Sequence, residues 1–254
     1  MGLWTAQHAV TLIPAIGVMV ILGVLARKFL AGKEESIRLL PLKVIAILLL
    51  VLEVGKQIVS AQGGYNLYSL PFHYCSIYLF AVPVMAFYGG KHKKTAREIT
   101  FALTGALFLI MLIYPSLIYS ADNIRQYFSD YMSFHTVTFH NLVMLVLVLE
   151  ISLNIPEATT KWAIKPLTVF LLIFCAISAS MAQLLKTNYA NFYSCNVPPL
   201  EAVRMSMQAV LGYGLTQFLY VLAVTAVTIL FTFMFYGICR LVRRLVAEKT
   251  ASHV

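Results

Sequence analysis

The stretch MGLWTAQHAVTLIPAIGVMVILGVLARKFL (residues 1–30) decides the fold class. A run of apolar residues over about 8–26 is followed at once by Arg27 and Lys28. About 20 apolar residues are needed to cross a bilayer as a helix. The positive charge follows the run, whereas a cleavable signal peptide carries it in front. We therefore predict a first membrane helix that enters from outside the cell.

The composition of the whole chain agrees with a membrane protein. Of its 254 residues, 60% are hydrophobic and 11% are charged, whereas soluble domains have about 25% charged residues. The net charge of +9 does not indicate a nucleic-acid partner, because the basic residues alternate with long apolar spans.

Seven apolar segments recur along the chain, and no soluble domain is visible between them. The sequence therefore predicts an all-α fold, a single domain of residues 1–254 that forms a bundle of seven transmembrane helices. The predicted spans cover about 8–26, 39–61, 70–88, 97–119, 134–154, 166–186 and 208–239.

The basic residues predict the orientation of these spans. Fifteen of the 19 Lys and Arg follow odd-numbered spans and three follow even-numbered ones. By the positive-inside rule, the N-terminus lies outside and the C-terminus in the cytoplasm of a multi-pass protein of the cell membrane. The fifteen are Arg27, Lys28, Lys33, Arg38, Lys43, Lys91, Lys93, Lys94, Arg97, Lys161, Lys165, Arg240, Arg243, Arg244 and Lys249, and the three are Arg125, Lys186 and Arg204.

Polar side chains concentrate in the outer half of the predicted bundle, which indicates a cavity open to the outer side. Such groups are costly in lipid and usually face the bundle interior. One alternative is that Glu53 and Lys56, three residues apart on one helical face, form a structural ion pair. The candidate substrate-binding residues are Glu53, Lys56, His73, His135, Lys186, Asn188 and Tyr189.

The stretch YSLPFHYCSIYLF (68–80) brings a histidine and a cysteine into an apolar run. We expect Ser69 to cap the third span, with Pro71 in its first turn. Cys75 near a helix start would gain some thiolate character. Two residues correspond to about 200° around a helix, so His73 would be a poor base for Cys75 unless the turn is irregular.

A better base is predicted in the fifth span, SFHTVTFHNLVML (133–145), where His140 lies at the depth of Cys75. A thiol and an imidazole at one depth are the minimum for nucleophilic acyl transfer. Packing of a free cysteine is the alternative. The His and Cys spacings are not those of structural zinc sites, so no metal and no cofactor is expected.

Three elements resemble the YwaF-like family of bacterial membrane proteins: LPFHYC (70–75), SFHTVTFHNLVM (133–144) and KTNYANFYSCNVPP (186–199). Phe72 and Tyr74 replace aliphatic residues of that pattern. The family is distantly similar to the transmembrane protein 164 family, which is regarded as a group of acyltransferases that move fatty acyl chains between phospholipids. The resemblance implies that Cys75 is the acyl-accepting cysteine and His140 the histidine. His73, Asn188 and Tyr189 match motif positions without an assigned role.

Three functions stay open. The leading one is a membrane-embedded acyl-handling enzyme, an acyltransferase or acyl hydrolase that acts on a phospholipid or an acyl-thioester. Asn188, Tyr189 or Lys186 would hold the oxyanion or the lipid phosphate. The second is a protein that binds or transports a lipid or small solute in the same cavity without covalent chemistry, and the third is a structural or accessory membrane subunit.

Overall fold

The computed structural model describes residues 4–156 and 162–251, with side chains up to residue 244. The side chains of Lys161 and Lys249, which entered the charge count, fall outside the described part. The helices are α1 (Ala6–Leu30), α2 (Glu35–Arg38), α3 (Leu40–Ala61), α4 (Tyr78–Phe87), α5 (Lys93–Ile113), α6 (Ala121–Arg125), α7 (Tyr131–Ser152), α8 (Ile164–Leu185) and α9 (Pro198–Ala251). Short 3-10 turns cover Leu67–Ser69, Tyr74–Ile77, Pro115–Leu117 and Tyr189–Asn191.

The helical character of a membrane protein is confirmed. Five of the described helices are long and apolar enough to cross a membrane, and the count of seven spans and their orientation stay predictions. The predicted third span is shorter than expected, because α4 has 10 residues. The five are Ala6–Leu30, Lys93–Ile113, Tyr131–Ser152, Ile164–Leu185 and Pro198–Arg244, and a shorter apolar helix covers Tyr74–Phe87.

The chain forms two compact units. Unit 1 comprises Met1–Val59, Tyr78–Ala163 and Phe233–Val254, and unit 2 comprises Ser60–Ile77 and Ile164–Thr232. Helices α3 and α9 each contribute residues to both units.

Polar side chains join the helices of unit 1. The Tyr78 hydroxyl of α4 donates to the Leu103 carbonyl of α5 at 2.8 Å. The Thr104 hydroxyl of α5 donates to a carboxyl oxygen of Glu150 in α7 at 2.7 Å. Lipid tails are as apolar as the side chains they would replace, so such bonds and close packing hold membrane helices together.

The start of α1 is held by a capping box and by a histidine. The Thr5 side chain accepts from the His8 N–H, and the His8 side chain accepts from the Thr5 N–H. The His8 Nε2 lies 3.0 Å from the Tyr119 carbonyl oxygen, to which it donates. The capped end of α1 is thereby tied to the segment that follows α5.

Unit 2 is built around a small buried cluster of Cys175, Ala179, Ala182, Tyr189 and Phe192. Two glutamine side chains, those of Gln183 in α8 and Gln217 in α9, donate to the Phe192 carbonyl at 2.9 and 2.8 Å. Both bonds join a helix to the loop that follows α8. Helix α9 is interrupted at Gly212, whose φ of 76° is a left-handed conformation that glycine adopts without steric cost.

Candidate functional site

The segment around Cys75 in unit 2 is an irregular turn. The 3-10 turn Tyr74–Ile77 precedes α4, and the Ser76 N–H donates to the His73 carbonyl at 2.9 Å. Leu70 is extended, with a ψ of 145°, because the residue before a proline is disfavoured in the α conformation. The expectation that Ser69 caps a helix starting near residue 70 is therefore wrong. Cys75 lies in the turn and is partly exposed.

His73 is oriented by its neighbours in the same unit. Its Nε2 lies 2.9 Å from the Tyr68 carbonyl oxygen. A carbonyl oxygen only accepts, so Nε2 carries the proton and the neutral ring keeps its lone pair on Nδ1. The ring lies 4.3 Å from that of Tyr68 and 5.3 Å from that of Tyr189. The segment that follows His73 is an irregular turn, so the geometry of a regular helix, which would point His73 and Cys75 apart, does not apply.

Tyr68 is also close to the thiol. Burial, and then the Cys75 thiol, raise the pKa of Tyr68. The Tyr189 hydroxyl donates to the Leu67 carbonyl, which attaches the loop after α8 to this segment. Tyr189 is fully buried, and its ring contacts Phe72 edge-on at 5.3 Å. Tyr189 therefore supports the segment that carries Cys75.

The other two predicted residues of the loop after α8 differ in their surroundings. The Asn188 side chain accepts from the N–H groups of Tyr193 and Ser194, both at 3.2 Å, and donates to Asn196 at 3.0 Å. Asn188 thus organises the loop itself. Lys186 is exposed and has a positive φ of 50°.

His140 lies in α7 of unit 1 and is 6% exposed. Its Nδ1 lies 2.6 Å from the Thr136 carbonyl oxygen, one turn earlier in the same helix. Because that oxygen can only accept, Nδ1 carries the proton and Nε2 keeps the lone pair of the neutral ring. The helix backbone therefore sets the tautomer, and Nε2 is the nitrogen that can take a proton.

An ion pair on α3 lies beside His135, the other histidine of α7 in unit 1. The Lys56 ammonium is 2.9 Å from a carboxyl oxygen of Glu53, and Gln57 donates to the other oxygen at 2.6 Å. The His135 Nε2 lies 3.6 Å from Glu53 Oε2. Three of the predicted substrate-binding residues are thus brought together, and two of them, Glu53 and Lys56, form the ion pair that was the structural alternative.

The predicted site residues are divided between the two units. Unit 2 contains Cys75, His73, Lys186, Asn188 and Tyr189. The remaining four, which belong to unit 1, are Glu53, Lys56, His135 and His140.

The other cysteines have surroundings that differ from those of Cys75. None of the four cysteines, all of which lie in the described part of the chain, forms a disulfide. Cys175 is 1% exposed within the apolar cluster of unit 2, and the Cys239 sulfur packs against Gly105, so both have packing roles. Among the described residues, no group of three His, Cys, Asp or Glu is arranged to hold a metal ion.

The comparisons with known proteins concern the whole chain. A family model described as the TMEM164 family matches residues 3–236. Neither the curated proteins nor the solved structures gave a match. The narrower YwaF-like resemblance stays a prediction. A match over nearly the whole length, with apolar helices throughout, establishes that this membrane protein belongs to the TMEM164 family.

Proposed function

We propose that the protein is an acyl-handling enzyme of the cell membrane in which Cys75 is the nucleophile and His140 the general base. The observation that carries the proposal is the tautomer of His140. A buried imidazole whose Nδ1 donates to the Thr136 carbonyl presents Nε2 as a proton acceptor, which is what thiol activation requires.

The burial and location of the cysteines support Cys75 as the nucleophile. Cys175 is buried in the apolar cluster of unit 2 and Cys239 lies within helix α9 against Gly105, whereas Cys75 is partly exposed in an irregular turn. The segment that leads into this turn is held by two hydrogen bonds. The Tyr189 hydroxyl donates to the Leu67 carbonyl, and His73 Nε2 donates to the Tyr68 carbonyl. A nucleophile on a supported segment loses less entropy on reaching its reactive geometry.

The proposed reaction has two proton-balanced halves. In the first, the Cys75 thiol gives its proton to His140 Nε2, and the sulfur attacks the acyl carbonyl of a phospholipid or an acyl-thioester. The bond to the leaving group breaks, and the imidazolium protonates that group. In the second, an acceptor hydroxyl or water gives its proton to the imidazole and attacks the Cys75 thioester. The released sulfur takes the proton back.

The first test is covalent labelling. Protein in detergent is incubated with a phospholipid or an acyl-thioester that carries an alkyne-tagged chain, and tagged protein is measured. We expect Cys75→Ala to abolish the label. Cys195→Ala, which removes the other partly exposed loop cysteine, is the matched control and should label like the wild type. Equal labelling of the Cys75→Ala protein would contradict the proposal.

The second test concerns the proximity that the proposal requires. We expect a short thiol cross-linker to join Cys75 to a cysteine introduced as His140→Cys. His92→Cys, at an exposed position before α5, is the control and should stay uncross-linked. If both positions or neither react, His140 is not the base that acts on Cys75.

A further inference from the structure

A basic pocket lies in unit 1, where the α1–α3 connection meets the start of α5 and the end of α7. The pocket has a volume of about 140 Å³, roughly ten times the minimum of about 10–15 Å³ that a cavity needs to hold one water. Helices α5 and α7 are both candidate spans, so their ends place the pocket at a membrane edge. The basic pocket is lined by Glu35, Arg38, Lys93, Lys94, Arg97, Asn154, Ile155 and Pro156.

The charge of the lining favours an anion. Four cationic side chains and a single carboxylate face the space. The start of α5 adds to this field, because His92 provides no side-chain cap and the first turn contains no acidic residue. The N–H groups of a helix start and its dipole favour negative charge.

Two donors of the pocket's arginines lack acceptors. The Nε atoms of Arg38 and Arg97 are buried and have no hydrogen-bond partner, and Arg97 as a residue is only 7% exposed. The Arg38 Nη1 donates to the Leu153 carbonyl at 3.4 Å, which leaves Nε without an acceptor. Buried donors without partners are rare and costly. An oxyanion between the two guanidiniums would supply the missing acceptors.

The contacts of Glu35 show that these cations bind an oxyanion. Its carboxylate accepts from Lys93 at 2.8 and 3.1 Å and from Arg97 at 2.8 Å. Hydrogen bonds from Arg97 and then Lys93 lower the pKa of Glu35 to about 2, so it is ionised at neutral pH. The Glu35 carboxylate thus already accepts from some of the cationic donors of the pocket, and its side chain is 39% exposed.

We propose that the basic pocket binds a phosphate group, with Arg38 and Arg97 as the main donors and Glu35 as a competing internal anion. Planar guanidinium groups match phosphate oxygens in geometry and charge. The phosphate belongs either to a lipid head group at the membrane edge, as in other basic pockets between membrane helices, or to a soluble phosphate compound. This second site is independent of the chemistry proposed for Cys75.

The test is calorimetric titration of the protein in detergent with dihexanoyl phosphatidylglycerol, and separately with glycerol phosphate and inorganic phosphate. We expect Arg38→Gln to weaken binding by about tenfold or more, the value of one charge-assisted hydrogen bond. Arg27→Gln, an equal charge change at an exposed position at the end of α1, should bind like the wild type. Glu35→Gln should bind several-fold more tightly, a gain that misfolding would not produce.

The three ligands separate the two sources of phosphate. Tight binding of the short-chain lipid alone supports a head-group site, and equal binding of all three supports a site for soluble phosphate. The proposal is overturned if no ligand gives saturable binding, or if Arg38→Gln and Arg27→Gln behave alike. It is also overturned if Glu35→Gln fails to tighten binding. None of these results depends on acyl transfer.

Discussion

Replacing His140 with asparagine removes the proposed base and keeps the hydrogen bond that orients it. The asparagine amide nitrogen takes a position similar to that of Nδ1, so it can still donate to the Thr136 carbonyl, which His140 reaches at 2.6 Å. The substitution thus preserves a bond of about 1 kcal/mol. The group at the position of Nε2 is lost.

The expected loss of acylation rate follows from the role of His140 Nε2 as the general base. General-base catalysis contributes about 10²–10⁴ in rate, equal to about 2.7–5.4 kcal/mol of activation free energy at about 1.36 kcal/mol per tenfold. We therefore predict that acylation of Cys75 slows at least a hundredfold in the His140→Asn protein, while thermal stability changes little. The assay is the single-turnover rate of acyl-protein formation at saturating donor.

His73 provides the discriminating comparison. His73→Gln keeps a donor for the Tyr68 carbonyl, which the Nε2 of His73 contacts, and removes Nδ1 as a base. We expect the rate of Cys75 acylation to fall by at most a few-fold in the His73→Gln protein. If His73→Gln shows the hundredfold loss and His140→Asn reacts at nearly the wild-type rate, the reasoning from the His140 tautomer is refuted.

Three further predictions concern stability and topology. The pKa of Glu35 is lowered from 4.5 to about 2, so its ion pairs stabilise the fold above pH 4.5 and stop doing so as the pH falls from 4.5 toward 2. Because these ion pairs are partly exposed, the contribution to the free energy of unfolding is about 0.2–1 kcal/mol. Wild-type protein should lose that increment in unfolding experiments across this range, and Glu35→Gln should not. Gly55→Ala places a Cβ 2.6 Å from the Tyr131 ring and should destabilise the fold by about 1–3 kcal/mol, whereas Gly17→Ala, with nothing within 4 Å, should be neutral in the same melt. In intact cells, a cysteine placed at Asp122 should react with an impermeant thiol reagent and one in the loop between α4 and α5 should not; the reverse would invert the orientation.

The sequence predicted the membrane class well, because hydrophobic length is a local property. The apolar run of residues 8–26 corresponds to α1, and the run 134–154 corresponds to α7. The same measure did not show where the helix of the mainly apolar segment 70–88 begins, because the segment starts with an irregular turn. Pro71 disfavours a helical Leu70, and this local effect outweighed the expected cap at Ser69.

The candidate site was predictable as a set of residue types and not as an arrangement. The spacing of Glu53 and Lys56 on one helical face foretold their ion pair, since residues three apart are neighbours on a helix. The hydrogen bond from the Tyr189 hydroxyl to the Leu67 carbonyl supports the Cys75 segment and joins residues 122 positions apart. No periodic pattern in the sequence encodes such a contact.

The basic pocket was missed for a different reason. Arg38, Lys93 and Arg97 indicate only the orientation of the spans, because positive-inside counting assigns no partners to charges. The convergence of Lys93 and Arg97 on Glu35 depends on α2 meeting the start of α5 in unit 1. The acidic pair Glu34 and Glu35 in a predicted basic loop is the available signal in the sequence.

The most direct test of the central claim is a chase of the acyl-enzyme. Wild-type protein is loaded with a tagged acyl group and freed of donor, and its intact mass is followed after a lysophospholipid acceptor is added. The proposal predicts a hydroxylamine-labile adduct on the peptide that contains Cys75, which disappears as the tagged group appears in phospholipid. An adduct that persists with acceptor present, or acyl transfer that continues undiminished in the Cys75→Ala protein, would contradict it.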